Sequence, residues 1–175
     1  GVKEDRPDDV SDLESFASNT VSKELYDLGQ GISFACDKEN FNAISNVYLI
    51  GHSRGGALSI LQANHDPRID KLATWGSISD FSSLWKPDQV EQWRKQGVIH
   101  IENARTREQM PVNATLLEDL EQNSESFDVE SAAKNLNIPW LILHGDSDVN
   151  VDVSVAKKLN EIHLNARLQI IPRAD

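Results

Sequence analysis

Residues 51–55 place a serine between two glycines in the pattern G-x-S-x-G. The apolar run 47–50 precedes this pattern, and a helix-like segment that begins with small residues follows it. A serine on a sharp turn between a strand and a helix is pushed outward, and glycines on both sides let the two elements pass closely. The sequence therefore predicts that Ser53 is a nucleophile and that Gly51 and Gly55 are the glycines of its turn.

Two other interpretations of these glycines can be compared with that prediction. A glycine-rich turn with a solvated serine predicts polar flanking residues, whereas the four residues before Gly51 fit a strand buried on both faces. The small residues Gly55, Gly56 and Ala57 let the next helix approach this strand. A phosphate-binding loop also follows a strand, but it ends in Gly-Lys-Ser/Thr, which this turn lacks. The nucleophilic serine is favoured over both.

A serine hydroxyl needs a base, and the base needs a carboxylate that holds it in the correct tautomer. A second apolar run, residues 140–143, follows Pro139 and leads into the polar segment 144–151, a pattern typical of a strand followed by a loop. In open α/β sheets the working residues gather beyond the carboxyl ends of the strands, so this loop shares a rim with Ser53. Asp148 is the predicted acid.

Other acidic residues compete for this role or for a different one. Asp80 is the second candidate acid, because it follows the apolar stretch 72–78 and so also falls near the end of a strand. Alternating oxygen-bearing side chains in the acid segment resemble a calcium loop: Asp146, Asp148, Asn150 and Asp152. A calcium loop of that kind needs glycine at its sixth position and glutamate at its twelfth, where this chain has Val151 and Lys157. We therefore predict no metal site and no cofactor.

At these residues the chain resembles the α/β-hydrolase family. The late strand of that family commonly ends in His-Gly, with the acid of a catalytic triad three residues after the glycine, and Gly145 and Asp148 match this spacing. Residues 166–175 resemble the last strand and the loop that delivers the triad histidine. The resemblance implies the order serine, acid, histidine, with the Arg54 N–H as an oxyanion donor and the histidine beyond Asp175.

None of the five histidines in the chain is well placed to be that base. Strand alternation next to Ser53 turns the side chain of His52 away from the nucleophile, and His144 is expected to support the acid loop. The others are interpreted as solvated or packed histidines: His65, His100 and His163.

The order of elements extends the resemblance to most of the chain. After the polar, acidic residues 1–20, a helix is predicted over about 22–37, and four strands then alternate with helices, near Val47, Leu72, Trp140 and Leu168. This order predicts a three-layer α/β/α fold with a mostly parallel sheet, a partial α/β-hydrolase domain over 1–175. We expect the early strands and the triad histidine to lie outside this sequence, which leaves an apolar sheet edge that can pair with another chain.

A long insert, about 81–137, separates the second strand from the third. The resemblance implies a helical cap over the active site, in which aromatic residues line a substrate pocket: Phe81, Trp85 and Trp93. Tryptophans at helical spacing are equally well explained as core residues, so both interpretations stay open.

Composition limits the partners. The 17 lysines and arginines against 28 aspartates and glutamates give a net charge of −11, which disfavours binding to nucleic acid or to anionic lipid. No apolar run is long enough to cross a membrane. One cysteine, Cys36, excludes an internal disulfide and leaves the redox compartment open. The location is not determined by the sequence, and among the alternatives the cytoplasm is favoured.

Together these residues predict a serine hydrolase that acts on a small-molecule ester or amide, with a carboxylic ester hydrolase favoured. An acylaminoacyl-type peptidase is the nearest alternative, because the serine turn and the acid loop do not encode the leaving group. The third alternative is a catalytically silent half-domain that needs its missing part, and we expect the sequence by itself to be inactive.

Overall fold

Outside the insert at 81–137, the strands and the helices between them follow the predicted order along the chain. The computed structural model describes residues 10–41, 44–103, 105–163 and 165–175. The elements in chain order are helices α1 (Leu13–Ala17) and α2 (Val21–Cys36), strand β1 (Val47–His52), helix α3 (Arg54–His65), strand β2 (Ile69–Trp75), a short 3-10 helix (Phe81–Leu84), helix α4 (Pro87–Gln96), strands β3 (Val98–Glu102) and β4 (Gln109–Asn113), helices α5 (Thr115–Gln122) and α6 (Val129–Asn135), strand β5 (Trp140–Gly145), helix α7 (Val153–Ile162) and strand β6 (Arg167–Ile171).

These elements belong to two units, one formed by Gly1–Glu24 and Trp85–Ser124 and the other by Leu25–Leu84 and Glu125–Asp175. The second unit contains a four-stranded sheet in the order β1-β2-β5-β6. Each pair of neighbours is parallel, so the four strands end at one rim. Ser53 follows the end of β1 at this rim, and the segment with Asp148 follows β5.

Helices cover the sheet because its strands present apolar side chains to them. Helix α3 packs on β1 and β2, α7 packs on β5 and β6, and α6 lies against both helices. Between β2 and β5, the buried indole N–H of Trp140 donates to the hydroxyl of Thr74 at 3.0 Å, which satisfies both polar groups inside the core.

Strand β1 differs from its prediction, because it is not buried on both faces. The side chains of Tyr48 and Ile50 are 57% and 77% exposed, whereas Val47 and Leu49 are half-buried. The reason is the position of β1 at the edge of the sheet, where α3 covers one face of the strand. In the described part of the chain this edge is apolar and exposed, as expected, and its pairing with another chain stays a prediction.

The first unit contains an antiparallel hairpin that the sequence analysis did not predict. Strands β3 and β4 pair from Val98 opposite Asn113 to Glu102 opposite Gln109. Trp93 of α4 is fully buried in this unit, and its indole N–H donates to the carbonyl oxygen of Val112 at 2.8 Å. The insert therefore combines helices with a hairpin, and its role as a cap stays a prediction.

Two of the three predicted pocket residues are packed inside their units. Trp93 is 0% exposed and Phe81 is 3% exposed, with the ring of Phe81 against Phe127 at 6.4 Å between centroids. These rings are therefore largely covered by the protein itself, and their assignment to a substrate pocket stays a prediction. Trp85 packs edge-on against Trp93 and is partly exposed, and its pocket role stays a prediction. None of the described helices is long and apolar enough to span a bilayer.

Candidate active site

Ser53 sits at a strained turn between β1 and α3. Its backbone has φ 53° and ψ −121°, a left-handed conformation that side chains other than glycine rarely adopt. Three backbone hydrogen bonds hold the turn. The Ser53 N–H donates to the Trp75 oxygen at 2.9 Å, and the Ser53 oxygen accepts from the N–H groups of Gly56 at 3.0 Å and Ile78 at 3.4 Å. A serine at this position normally caps its helix, but the Ser53 hydroxyl makes no capping hydrogen bond. The hydroxyl is therefore available for chemistry.

Close packing around the turn requires glycine at two positions. A Cβ atom at Gly51 would overlap the carbonyl oxygen of Gly55, and one at Gly56 would lie 2.5 Å from the hydroxyl oxygen of Ser77. A Cβ atom at Gly55 would meet nothing within 4 Å. The predicted steric role of Gly51 agrees with this packing. Of the two glycines that were predicted to let α3 approach the strand, Gly56 makes a close contact and Gly55 makes none.

Arg54 is the first residue of α3, so its backbone N–H lies at the amino end of that helix. The first N–H groups of a helix lack partners within it and carry the positive end of the helix dipole. This location suits an oxyanion donor, and that role of Arg54 stays a prediction.

Asp148 lies in the loop between β5 and α7, and its two carboxylate oxygens have different environments. The Oδ1 atom accepts hydrogen bonds from the N–H groups of Asn150 and Val151, both at 2.9 Å. The Val151 N–H is the main cause that lowers the pKa of Asp148, and burial opposes it in part. The Oδ2 atom faces Gly76, where a Cβ atom would lie 3.1 Å from it. Asp148 is thus an ionised carboxylate with one oxygen held by its own loop.

His144, near the end of β5, contacts the loop that carries Asp148. The side chain is fully buried, and its Nε2 atom lies 2.8 Å from the carbonyl oxygen of Val151 and 3.6 Å from Oδ2 of Asp148. A carbonyl oxygen only accepts, so Nε2 of His144 is the donor in this hydrogen bond. Because Val151 also donates its N–H to Asp148, both polar groups of this residue are fixed. This geometry agrees with the supporting role expected of His144.

The chain after β6 returns to the acid loop. The Ser147 N–H donates to the carbonyl oxygen of Ala174 at 2.9 Å. At the next residue, Asp175 reaches a cavity of about 340 Å³ at the rim of the sheet. The same cavity contains the predicted nucleophile and acid, and its lining consists of His52, Ser53, Trp75, Gly76, Asp148, Asn150, Val151 and Asp175.

His52 is the main residue that the sequence analysis did not assign to the site. It was expected to turn away from the nucleophile, yet it lines the same cavity and its ring lies 4.8 Å from that of Trp75. A Cβ atom at Gly76 would lie 3.9 Å from His52 Nε2 and 3.1 Å from Asp148 Oδ2, which limits the separation of these two atoms to about 7 Å. Strand β1 ends at His52, so strand alternation does not extend into the left-handed turn, and the direction of this side chain relative to Ser53 stays a prediction.

Asp80, the second candidate acid, serves a local structure. Its carboxylate accepts from the Ser82 N–H at 2.8 Å and from the Ser82 hydroxyl at 2.5 Å, which holds the start of the 3-10 helix. Asp80 does not line the cavity that contains Ser53. Within the described residues, no group of three or more His, Cys, Asp and Glu side chains is arranged to hold a metal ion.

Comparison with known proteins identifies the fold. No family model and no curated protein matches the chain. Among solved structures, it is similar to Est1E from Butyrivibrio proteoclasticus with ferulic acid bound (TM-score 0.70, 18% identity, 89% of this chain and 60% of that one). It is also similar to the esterase domain of a Rhodothermus marinus protein (TM-score 0.62, 19% identity, 93% of this chain and 62% of that one). A third similar structure is a monoacylglycerol lipase from Paleococcus ferrophilus (TM-score 0.66, 15% identity, 89% of this chain and 66% of that one).

The chain therefore has the α/β-hydrolase fold, with a mostly parallel sheet flanked by helices, as the sequence resemblance implied. It spans less than two thirds of the length of each of these three structures.

Proposed function

We propose that this chain carries the nucleophile and the acid of a serine hydrolase that cleaves carboxylic esters through an acyl-enzyme. The observation that carries the proposal is that Ser53 and Asp148 line the same cavity. Ser53 stands at a left-handed turn and its hydroxyl makes no capping hydrogen bond, and Asp148 is an ionised carboxylate. The esterases and the lipase among its structural neighbours favour ester substrates.

In the proposed reaction, the Ser53 hydroxyl attacks the ester carbonyl while an imidazole removes its proton. The Arg54 N–H stabilises the oxyanion of the tetrahedral intermediate. Oδ2 of Asp148 accepts the other N–H of the imidazole and holds it in the tautomer that can act as a base. The imidazole then protonates the leaving alcohol. Water, activated by the same imidazole, hydrolyses the acyl-enzyme and releases the carboxylic acid and the free serine.

We assign the imidazole to a histidine that follows Asp175 in the complete protein. Asp175 lines the cavity beside Ser53 and Asp148, so a residue next to it would arrive where the base must lie. His52 is the second candidate because it lines the same cavity, but its ring packs at a tilt against the ring of Trp75.

A fluorophosphonate probe, which reacts with activated serines, tests the proposal in the protein that carries this chain. We expect Ser53 to be labelled, Ser53→Ala to lose the label, and the control Ser82→Ala, which changes an exposed serine of the 3-10 helix, to keep it. No label in the wild type would indicate the silent half-domain instead. Loss of label in His52→Ala, with folding intact, would move the base to His52.

A substrate panel then separates ester from peptide hydrolysis. We expect higher kcat/KM for p-nitrophenyl esters and alkyl esters than for acylaminoacyl anilides with the same acyl group. Higher kcat/KM for the anilides would identify the acylaminoacyl-type peptidase, which needs the same serine and acid but expels an amine.

A further inference from the structure

We propose that Asp146 is a positioning residue that fixes the segment after β6 against the loop that carries Asp148. The proposal rests on the function proposed above. We call residues 146–151 the acid loop and residues 172–174 the return turn. Oδ1 of Asp146 accepts the backbone N–H of Arg173 at 2.6 Å, a short charge-assisted hydrogen bond. The hydroxyl of Ser147 donates to the same oxygen at 3.1 Å.

The return turn needs such support because Arg173 has a left-handed backbone, with φ 60°. Arginine rarely adopts this conformation, so the turn persists only where its surroundings favour it. Among the described residues, the bond from Arg173 to Asp146 is the one hydrogen bond between the return turn and the acid loop that involves a side chain. Asp146 is exposed and is not needed to fill the core.

Backbone contacts complete the junction on both sides of this carboxylate. The Asp146 N–H donates to the carbonyl oxygen of Ile171 at 3.1 Å, and the Ser147 N–H donates to that of Ala174 at 2.9 Å. Gly145 makes this approach possible, because a Cβ atom there would overlap the Ala174 oxygen. The acid loop and the return turn thus form one hydrogen-bonded piece.

The position of this piece gives the junction its function. Asp148 lies within the acid loop and Asp175 directly follows the return turn, and both residues line the cavity with Ser53. A base that follows Asp175 is therefore placed relative to its acid by the contact at Asp146. This also explains the alternating acids in the sequence: Asp146 holds the return turn, Asp148 faces the base, and Asp152 caps α7 by accepting the Ser154 N–H at 2.8 Å.

The experiment compares Asp146→Ala, Asp146→Asn and the control Asp152→Ala in the protein that carries this chain. The control removes the same charge from the same loop region, and it also removes a carboxylate that accepts a backbone N–H. With p-nitrophenyl acetate, we expect Asp146→Ala to lower kcat about tenfold at unchanged KM, from the loss of one charge-assisted hydrogen bond. We expect Asp146→Asn to recover most of this loss, since its side-chain oxygen still accepts, and Asp152→Ala to keep kcat.

Amide hydrogen exchange at Arg173 tests the same contact without relying on activity. We expect exchange to become about tenfold faster in Asp146→Ala and to stay near the wild-type rate in Asp152→Ala. Equal kcat values in the two alanine variants, or unchanged exchange at Arg173, would overturn the positioning role. If the wild type does not label with fluorophosphonate, the proposed hydrolase function fails, and the exchange measurement still decides whether Asp146 holds the turn.

Discussion

Replacing Asp148 with asparagine separates the two tasks of its carboxylate. The asparagine oxygen can still accept both N–H bonds that Oδ1 accepts now, so the loop should keep its conformation. The amide NH2 replaces Oδ2 and presents a donor where the base needs an acceptor. The base then adopts the wrong tautomer, and we expect kcat to fall by about 10⁴-fold.

The stability cost of Asp148→Asn follows from the same two hydrogen bonds. Bonds to a charged acceptor contribute about 1.5–3 kcal/mol and neutral bonds about 0.5–1.5 kcal/mol, so two bonds lose about 2 kcal/mol together. The side chain is 11% exposed, so solvent screens this interaction only weakly. Urea unfolding at neutral pH measures the difference.

The pH dependence of this difference has a definite sign. Folding lowers the pKa of Asp148, chiefly through the Val151 N–H, below its ordinary value of 3.8. The stabilisation by the carboxylate is therefore complete above pH 3.8 and is lost as the pH falls through the lower folded value. We expect the wild type and the asparagine variant to converge in stability at low pH.

Kinetics of ester hydrolysis, with Asp80→Asn as the matched control, complete the test of Asp148. Asp80 is an exposed aspartate with its own local N–H bond, and it does not line the cavity. We expect its variant to keep the wild-type kcat. Our assignment of the acid is refuted if Asp148→Asn keeps kcat while Asp80→Asn abolishes it.

Three further substitutions have expected outcomes in urea unfolding and ester kinetics. Ser53→Gly relieves the left-handed strain, so we expect about 1 kcal/mol more stability and no activity; a loss of stability would show that the turn is unstrained. Gly51→Ala introduces an overlap and should cost about 3 kcal/mol, whereas Gly55→Ala, whose Cβ atom meets nothing, should be neutral or stabilising; equal effects would contradict the packing described. His144→Leu leaves the Val151 oxygen without its donor, so we expect about 1–2 kcal/mol less stability and a lower kcat at similar KM; an unchanged kcat would limit this histidine to packing.

The sequence predicts the elements of the sheet well, because each strand and helix has a local signal. Short apolar runs mark β1 and β5, and spacing of three or four residues marks α2. What the sequence does not encode locally is which strand lies at an edge. The burial of β1 was mispredicted for that reason, since Ile50 is as apolar as a residue at the centre of a sheet.

For the candidate site, the sequence places Ser53 and Asp148 at one rim, because both follow strands that run in the same direction. It does not reveal which residues lie between them. His52 pairs with Trp75, and Gly76 lies under the acid, only because β2 separates β1 from β5. Knowing the order of the strands in the sheet would have identified these residues. That order depends on contacts between segments that are distant in the chain, so the local sequence does not reveal it. The close approach of Gly56 to Ser77 depends on the same arrangement.

The junction between the return turn and the acid loop affects how the site responds to motion. Ser53 and Asp148 follow strands β1 and β5, which have β2 between them, whereas Asp148 and the residues after β6 belong to one hydrogen-bonded piece. Bending or shearing of the sheet on warming would change the distance from the serine to the base and leave the distance from the acid to the base nearly constant. On heating, the rate of acylation of Ser53 should then fall first, while Asp148 still holds the base in its correct orientation.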